Sequence, residues 1–309
     1  MSHHIVSIDA PRCKVYVQNG QLFVATESAI NSVPLEDVAS IVITSFKCDI
    51  AHSVFVHAAK LKIGVVFCES YSPVSVLLPV DRATDTQLIR NLAGLSVQSK
   101  RRLWKKTVDA KCVNQFSLAL KWSNDVNRLK DMENIVYSEK ESKESECAKH
   151  YWAIFSEKFT GGAFKRDKKM SDYNSFFNYA YAILLSTVLR NLIALGVDPI
   201  IGVFHTTRAH SAPLAYDLME PFRPIFDERI SQWIASLDCS AETVNDSLIN
   251  KEYKQYIAST LSMSFPYMDE DVSLKLLIEK VIRSFRAAVI AQKISIYEPW
   301  KTSITKWDG

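Results

Sequence analysis

The hydrophobic pattern of this 309-residue chain changes its period near Asp81. Before that point, apolar and β-branched residues occur in short runs separated by turn signals, which is typical of β-strands. After it, apolar residues such as Leu88, Leu92 and Leu95 recur at intervals of three to four, the spacing of one helix face. One uniform architecture cannot satisfy both periods. We therefore expect an α+β fold in which a small β unit precedes a larger helical unit.

The first eighty residues predict a small β-sandwich or an open barrel, because several short strands are separated by turns. The Asn19-Gly20 pair is a strong signal for a hairpin turn. A short helix-like segment, residues 51–60, interrupts the strands. The predicted strands are residues 5–8, 14–17, 22–25, 40–44, 64–68 and 74–78.

Helical periodicity dominates the rest of the chain. The only glycine between Asp81 and Thr160 is Gly94, which favours closely connected helices and excludes a glycine-rich phosphate loop there. Asp172 and Asp246 are candidate N-caps. The predicted helical segments are residues 88–108, 110–122, 124–137, 177–195, 226–237, 246–264 and 274–291. The last residues, 296–309, are either a mobile tail or a docking segment, and the sequence leaves both open.

Charge is local in this chain, whose formal net charge is only +3. Lysine and arginine cluster at residues 100–106 and 165–169, beside apolar periodic segments, so both clusters belong to folded elements. Each is either a nucleic-acid contact or a solvated surface.

The six cysteines form no C-x-x-C pair, which argues against a zinc ribbon or a thioredoxin-like motif. With no secretory pattern at its start and no bilayer-length apolar run, the chain is expected in the cytoplasm.

Residues 200–224 carry the most chemistry in a short stretch. His205 is followed by Asp217 and Glu220, whose i, i+3 spacing places both acids on one face of a helix. An imidazole with carboxylates suits Mn²⁺ and tolerates Mg²⁺. Pro221 and Pro224 permit only a short continuation unless the helix restarts. Taken singly, His205 fits a core histidine better than a ligand, Asp217 also fits a helix cap, and Glu220 also fits an ion pair to Arg223.

Three blocks of sequence resemble CRISPR-associated protein one, the integrase of spacer acquisition. The first is G-x-x-H followed by P-L-x-Y-D-L-M-E-P-F-R-P, at Gly202, His205 and residues 213–224. The second, F-N-Y-A-Y-A-I-L at residues 177–184, resembles the family's L-N-Y-G-Y-A-I-L, with Ala180 where glycine is usual. The third, residues 144–155, resembles E-G-x-A-A-K-x-Y-W and has Ser145 in place of its glycine.

The resemblance implies which residues form the active site. It places metal-binding groups at Glu144, His205 and Glu220 and a second carboxylate at Asp217. Glu144 is chosen from four nearby glutamates by the family register, and Glu141 replaces it if the alignment shifts by one helical turn. The cofactor implied is Mg²⁺ or Mn²⁺. Candidate nucleic-acid contacts are Arg223, Arg208, Lys165, Arg166, Arg101 and Arg102.

The resemblance also implies a domain division, an activity and an assembly. Residues 1–80 would be a β domain used for dimerisation, and residues 81–309 an all-α catalytic domain. The activity would be joining the 3′-OH ends of protospacer DNA to a CRISPR repeat by transesterification. The partners would be double-stranded DNA and a dimer of CRISPR-associated protein two, which bridges two homodimers in a heterohexamer. The alternatives are a stand-alone metal nuclease for branched DNA and a non-catalytic DNA-binding scaffold.

Overall fold

The computed structural model describes residues 4–45, 47–69, 72–77, 79, 86–167, 169–170, 172–206, 212–237 and 249–303. The strands are β1 (His4–Ile8), β2 (Cys13–Gln18), β3 (Gln21–Ala25), β4 (Ile30–Pro34), β5 (Val38–Ile43), β6 (Cys48–Ile50), β7 (Gly64–Glu69), β8 (Ser72–Leu77), β9 (Ser264–Tyr267) and β10 (Glu270–Ser273). The α-helices are α1 (His52–Lys60), α2 (Thr86–Ala93), α3 (Val97–Trp122), α4 (Val126–Val136), α5 (Lys143–Thr160), α6 (Tyr173–Ala194), α7 (Pro213–Met219), α8 (Arg223–Ser236), α9 (Lys251–Ser259) and α10 (Leu274–Ile290).

Two four-stranded sheets form the N-terminal unit, in the orders β1-β5-β7-β8 and β4-β3-β2-β6. In the first sheet β1, β5 and β7 are parallel, and β8 is antiparallel to β7. Apolar residues from both sheets and from α1, including Val15, Ile41 and Val65, share one core. The α+β fold class is therefore confirmed, and the N-terminal unit is a sandwich rather than an open barrel.

The hairpin turn predicted at Asn19-Gly20 is present between β2 and β3. Both residues have positive φ, 48° and 73°. The two-residue turns that match the twist of a hairpin require this conformation. The turn sets the register in which Gln18 pairs with Gln21. Local sequence chemistry alone was enough to predict this element.

The first sheet is buried on both faces, so it joins the two units. Ile41 and Val65 point into the sandwich core, whereas their neighbours Val42 and Val66 belong to the core of the helical unit. Continuous apolar runs are the pattern of strands buried on both sides. The Ser40 hydroxyl donates a 3.2 Å hydrogen bond to Ser186 on α6.

Helix α6 is the centre of the helical unit. It contacts α7, α8, α9 and α10 as well as strands of the first sheet. By length and composition it could cross a membrane, but 94% of its apolar window is buried inside the protein. It is therefore the core helix of this fold. Its N-cap is Asp172, as predicted, whose carboxylate accepts from the Asn174 amide at 2.7 Å.

The structure differs from the sequence prediction in several elements. Strands β4 and β6 were not predicted, because β4 is largely exposed and β6 has only three residues. The antiparallel hairpin of β9 and β10 lies within the unit predicted to be all-α. Helix α3 is continuous where two segments were predicted. The predicted cap Asp246 lies outside the described residues, as do residues 80–85 at the predicted domain boundary, and Asn250 caps α9.

The C-terminal segment up to residue 303 is docked on the helices rather than extended into solvent. Tyr297 and Trp300 are buried. The Asn114 side-chain amide on α3 donates to the Trp300 carbonyl at 3.2 Å, and its oxygen accepts from the Thr302 amide at 2.7 Å. Of the two possibilities left open by the sequence, docking is the one observed for this described part.

A buried carboxylate ties together three helices. Asp227 on α8 accepts hydrogen bonds from Tyr151 on α5 at 2.8 Å and from Tyr181 on α6 at 2.6 Å. Burial raises the pKa of Asp227 from its ordinary value to about 6, although the two tyrosines and the nearby charges of Arg223 and Arg166 oppose the rise. Asp227 therefore exchanges its proton near neutral pH in the folded protein.

We expect the difference in unfolding free energy between the unmodified protein and Asp227→Asn to become less favourable to the unmodified protein as the pH rises from 5 to 8. The folded-state pKa lies above the unfolded value, so stability from the bound proton is present at low pH and is lost as the pH rises through about 6. The expected relative change is about 1 kcal/mol in unfolding free energy. Urea denaturation at both pH values measures it, with exposed Asp131→Asn as control. A constant difference would show that the tyrosines keep Asp227 ionised.

Candidate active site

Two prolines shape the segment that carries the signature acids. Pro213 occupies the first turn of α7, where its fixed φ favours helix initiation and its missing N–H costs nothing. Helix α7 gives way to a tight 3₁₀ turn at residues 220–222 that contains Pro221, and α8 then begins at Arg223. Of the alternatives that the sequence left open at these prolines, a restart of the helix is the one observed. Asp217 and Glu220 are brought to one side of this segment, and both are buried.

Asp217 holds the backbone loop that precedes it. Its Oδ2 accepts from the amides of Val203 at 2.6 Å and Phe204 at 3.0 Å, and its Oδ1 accepts from the amide of His205 at 3.1 Å. The same Oδ1 lies 2.7 Å from His205 Nδ1. A carboxylate accepts hydrogen bonds and cannot donate them, so Nδ1 carries the proton and coordination to a metal would use Nε2. Asp217 is thus placed to orient the imidazole.

Gly202 explains the glycine of the G-x-x-H motif. A Cβ atom at this position would lie 2.3 Å from the His205 carbonyl oxygen and 2.7 Å from Pro213 Cβ. Such contacts are too short for any side chain, so only glycine permits the loop to fold over α7 this closely. The motif is therefore a packing requirement that brings His205 to Asp217.

Lys111 on α3 bridges the other two candidate acids. Its Nζ lies 2.6 Å from Glu144 Oε1 on α5 and 2.7 Å from Glu220 Oε2. The lysine side chain is only 11% exposed. Buried Oε2 of Glu220 therefore has the Lys111 ammonium as its ion-pair partner. A lone pair on a buried carboxylate facing a cation is what a metal ligand requires.

Opposite charges keep Glu220 ionised in this buried position. Burial by itself would raise the pKa of Glu220, but the charges of Arg223 and Lys111 outweigh it and lower the pKa to about 2. Arg223 Nη2 lies 3.1 Å from Glu220 Oε1, and its guanidinium lies 4.8 Å from the ring centre of Tyr181. Burial opposes the charge of Lys111 as well, yet Glu220 and Glu144 raise its pKa. Both basic groups are therefore charged partners of Glu220.

The structure brings the predicted acids close together without forming a complete metal cage. Glu144 and Glu220 share Lys111, and His205 pairs with Asp217, three residues before Glu220. In the described part of the chain, no group of three or more His, Cys, Asp or Glu side chains is arranged to hold a metal ion. One nitrogen and two carboxylates still form a suitable donor set, and the Lys111 ammonium lies where a cation would contact both acids.

The predicted nucleic-acid contacts differ in their surroundings. Arg101 and Arg102 are exposed on α3, and Lys165 is exposed beyond α5. Arg166 instead donates from Nη1 to Asn174 at 2.7 Å and from Nη2 to Asn178 at 2.9 Å. These bonds hold its guanidinium against α6. Arg208 lies outside the described residues.

A cleft of about 620 Å³ opens beside Glu144. Trp104 on α3 and Phe204 form one wall and stack with parallel rings, their centres 4.3 Å apart. The lining carries basic and acidic side chains together: Lys100, Arg101, Lys105, Lys140 and Lys143 with Asp109, Glu139, Glu141 and Glu144. Three of these lysines, Lys105, Lys140 and Lys143, are in ion pairs. Part of the first basic cluster therefore lines the same concave surface as a candidate catalytic acid.

Sequence reasoning did not identify Lys111, Trp104 or Phe204 as site residues. Trp104 and Phe204 each adjoin a feature that it did identify, the first basic cluster and His205 respectively. Lys111 adjoins no such feature in the sequence, and a single lysine inside a helix has no distinctive spacing that would mark it. The only signal available was its position on a helix that the resemblance assigns to the catalytic unit.

Asp217→Asn is expected to lower the unfolding free energy by about 2–4 kcal/mol. An amide has one oxygen, so its NH₂ group would face backbone N–H groups that now donate to a carboxylate. Chemical denaturation measures the loss, with Asp131→Asn as the exposed control. Equal stability of both variants would show that the carboxylate does not hold the loop of Val203 to His205.

Comparison with known proteins identifies the family of this chain. Residues 6–259 match the family model described as CRISPR associated protein Cas1. The CRISPR-associated endonuclease Cas1 of Neisseria meningitidis serogroup C (strain 8013) is 28% identical over 282 residues, covering 89% of each chain.

Two solved structures have the same fold at 15% sequence identity. A casposase bound to integration product has a TM-score of 0.75 and covers 97% of this chain and 96% of its own. A Cas6-RT-Cas1–Cas2 complex has a TM-score of 0.82 and covers 98% of this chain and 36% of its own. Because the family model spans most of the sequence, this chain belongs to the Cas1 family of CRISPR associated proteins.

Proposed function

We propose that this protein is a metal-dependent DNA integrase and endonuclease of CRISPR adaptation. It would join the 3′-OH ends of protospacer DNA to a CRISPR repeat by transesterification. The observation that carries the proposal is the meeting of Glu144 and Glu220 at one buried cation, beside the loop that presents His205. These residues come from elements far apart in sequence, so a shared chemical role explains their convergence better than separate helix caps would.

We propose Mg²⁺ or Mn²⁺ as the cofactor, held by Glu144, Glu220 and Nε2 of His205. When bound, such an ion lowers the pKa of an attacking hydroxyl and stabilises negative charge on the phosphate oxygens. Asp217 would keep the proton of His205 on Nδ1, which leaves the lone pair of Nε2 available for a ligand. Arg223 helps keep Glu220 ionised and therefore competent as a ligand.

The cleft beside Glu144 is the proposed path for DNA toward these residues. Arg101 lines it, and Arg102 and Lys165 are exposed charges suited to phosphate contacts elsewhere on the surface. Arg223 remains a candidate for a phosphate near Glu220, and Arg208 remains a candidate without a structural description. For Arg166 we propose an indirect part, since its bonds to Asn174 and Asn178 fix it against α6.

The proposed assembly contains double-stranded DNA, a homodimer of this chain and a dimer of CRISPR-associated protein two, together a heterohexamer. Support comes from similarity to a Cas1 chain in a complex that contains Cas2 and to a casposase bound to integration product. The β-sandwich, residues 1–80, is proposed as the dimerisation unit and the remainder as the catalytic unit. A cytoplasmic location is proposed with this role.

Replacement of His205, Glu220 or Glu144 by alanine should lower strand joining about 100- to 1,000-fold. Loss of a ligand removes several kcal/mol of charge stabilisation, and each 1.36 kcal/mol is tenfold in rate. The assay mixes the protein, labelled duplex with 3′-OH ends, a repeat-bearing plasmid and Mn²⁺, with and without the partner protein. Joined products are quantified on denaturing gels.

Glu146→Ala is the matched control, because Glu146 lies on the same turn of α5 but pairs with Ser142 and Lys140 at the surface. It should retain joining. Full joining by the His205 and Glu220 variants would remove the site assignment. Hydrolysis without joining under every partner condition would favour the stand-alone nuclease, and absence of both activities would favour the DNA-binding scaffold.

A further inference from the structure

Lys111 is an unusual residue to find between two acids in a helical core. Lysine is almost never fully buried unless its charge is paired, and here one ammonium contacts both Glu144 and Glu220. Three residues along α3, Asn114 donates a 2.7 Å hydrogen bond to the Pro221 carbonyl. The same helix face therefore supplies a charge to Glu220 and fixes the backbone turn that carries it.

The charges at this position already balance without a metal ion. The two carboxylates of Glu144 and Glu220 face the two cations of Lys111 and Arg223. Adding a divalent ion while Lys111 stays in place would put two cations against the same carboxylate oxygens. At short distances in a poorly solvated site, repulsion between like charges is strong. The ammonium and a metal ion therefore compete for the same two carboxylates.

We propose that Lys111 is an internal cation that competes with the catalytic metal for Glu144 and Glu220. In the metal-free protein it holds the two acids close together and compensates their charge, and its ammonium must leave them when the metal ion binds. This inference rests on the proposed metal-dependent function. Because Lys111 competes for the acids, the protein should bind the metal ion more weakly than the same ligands would without the lysine.

The test is direct titration of Mn²⁺ into the full-length chain, monitored by the EPR signal of free Mn²⁺. Lys111→Gln and Lys111→Met should bind Mn²⁺ at least about tenfold more tightly than the unmodified protein, because the competing charge is gone. Lys111→Arg keeps a cation at this position and should retain the weaker affinity. The melting temperature of metal-free Lys111→Gln should fall by roughly 5 °C or more, since an acid loses its buried partner, and Mn²⁺ should restore it.

Lys121→Gln is the matched control, because Lys121 lies on the same helix as Lys111 but pairs with Glu228 at 2.7 Å instead of the two acids. It should leave the Mn²⁺ affinity within about twofold of the starting value. Unchanged or weaker Mn²⁺ binding by folded Lys111→Gln would overturn the competition. If neither neutral variant folds without metal, Mn²⁺ should rescue refolding, and failure of that rescue would also overturn it.

Glu220→Gln separates this inference from the proposed function. One outcome removes the competition alone. In it, the unmodified protein binds Mn²⁺ and Glu220→Gln abolishes that binding, but Lys111→Gln does not make it tighter. If no Mn²⁺ binds to either the unmodified protein or Lys111→Gln, both the competition and the metal-dependent function fail. Tighter binding by Lys111→Gln that Glu220→Gln removes supports both.

Discussion

Two carboxylates removed from solvent, Asp217 and Glu220, impose the main physical constraint on this site. Burying an ionised acid is costly unless dipoles or charges compensate it. Asp217 is compensated by three backbone amides and by the ring of His205, which fixes it within the loop. Glu220 is compensated by the side-chain charges of Lys111 and Arg223. The backbone amides that bind Asp217 are fixed in place, whereas the lysine side chain that pairs with Glu220 can move away. Asp217 is therefore suited to positioning His205, and Glu220 is suited to exchanging Lys111 for a metal ion.

The rest of the helical unit supports this division of roles. Helix α3 supplies Lys111 and, one turn later, Asn114, whose amide holds both the Pro221 carbonyl and the Trp300 carbonyl. Trp300 also lies parallel to Phe222, with ring centres 6.5 Å apart. The docked C-terminal segment thus packs behind the turn that carries Glu220. Residues near the end of the chain therefore contribute to the geometry of an acid almost eighty positions earlier.

Sequence periodicity and turn chemistry predicted most of the fold, because those signals are local. The Asn19-Gly20 hairpin needed no tertiary information, whereas the exposed strand β4 had no buried face to mark it. The site residues were harder to predict from the sequence than the fold was. Glu144 was chosen through family resemblance alone, and Arg166 was named as a candidate nucleic-acid contact without its two asparagine partners on the next helix being foreseen. Such pairings depend on packing between elements, which local patterns do not encode.

In the proposed site, Glu144, Glu220 and Nε2 of His205 hold one divalent ion while Asp217 stays bound to the loop. Anomalous diffraction from crystals soaked in Mn²⁺ locates that ion. A single strong peak is expected within bonding distance of both glutamates and of His205 Nε2, with Lys111 Nζ moved away and Asp217 still accepting hydrogen bonds from its three backbone amides. A peak bonded to Asp217 in place of Glu220, or a metal site that excludes Glu144, would show that this assignment is wrong.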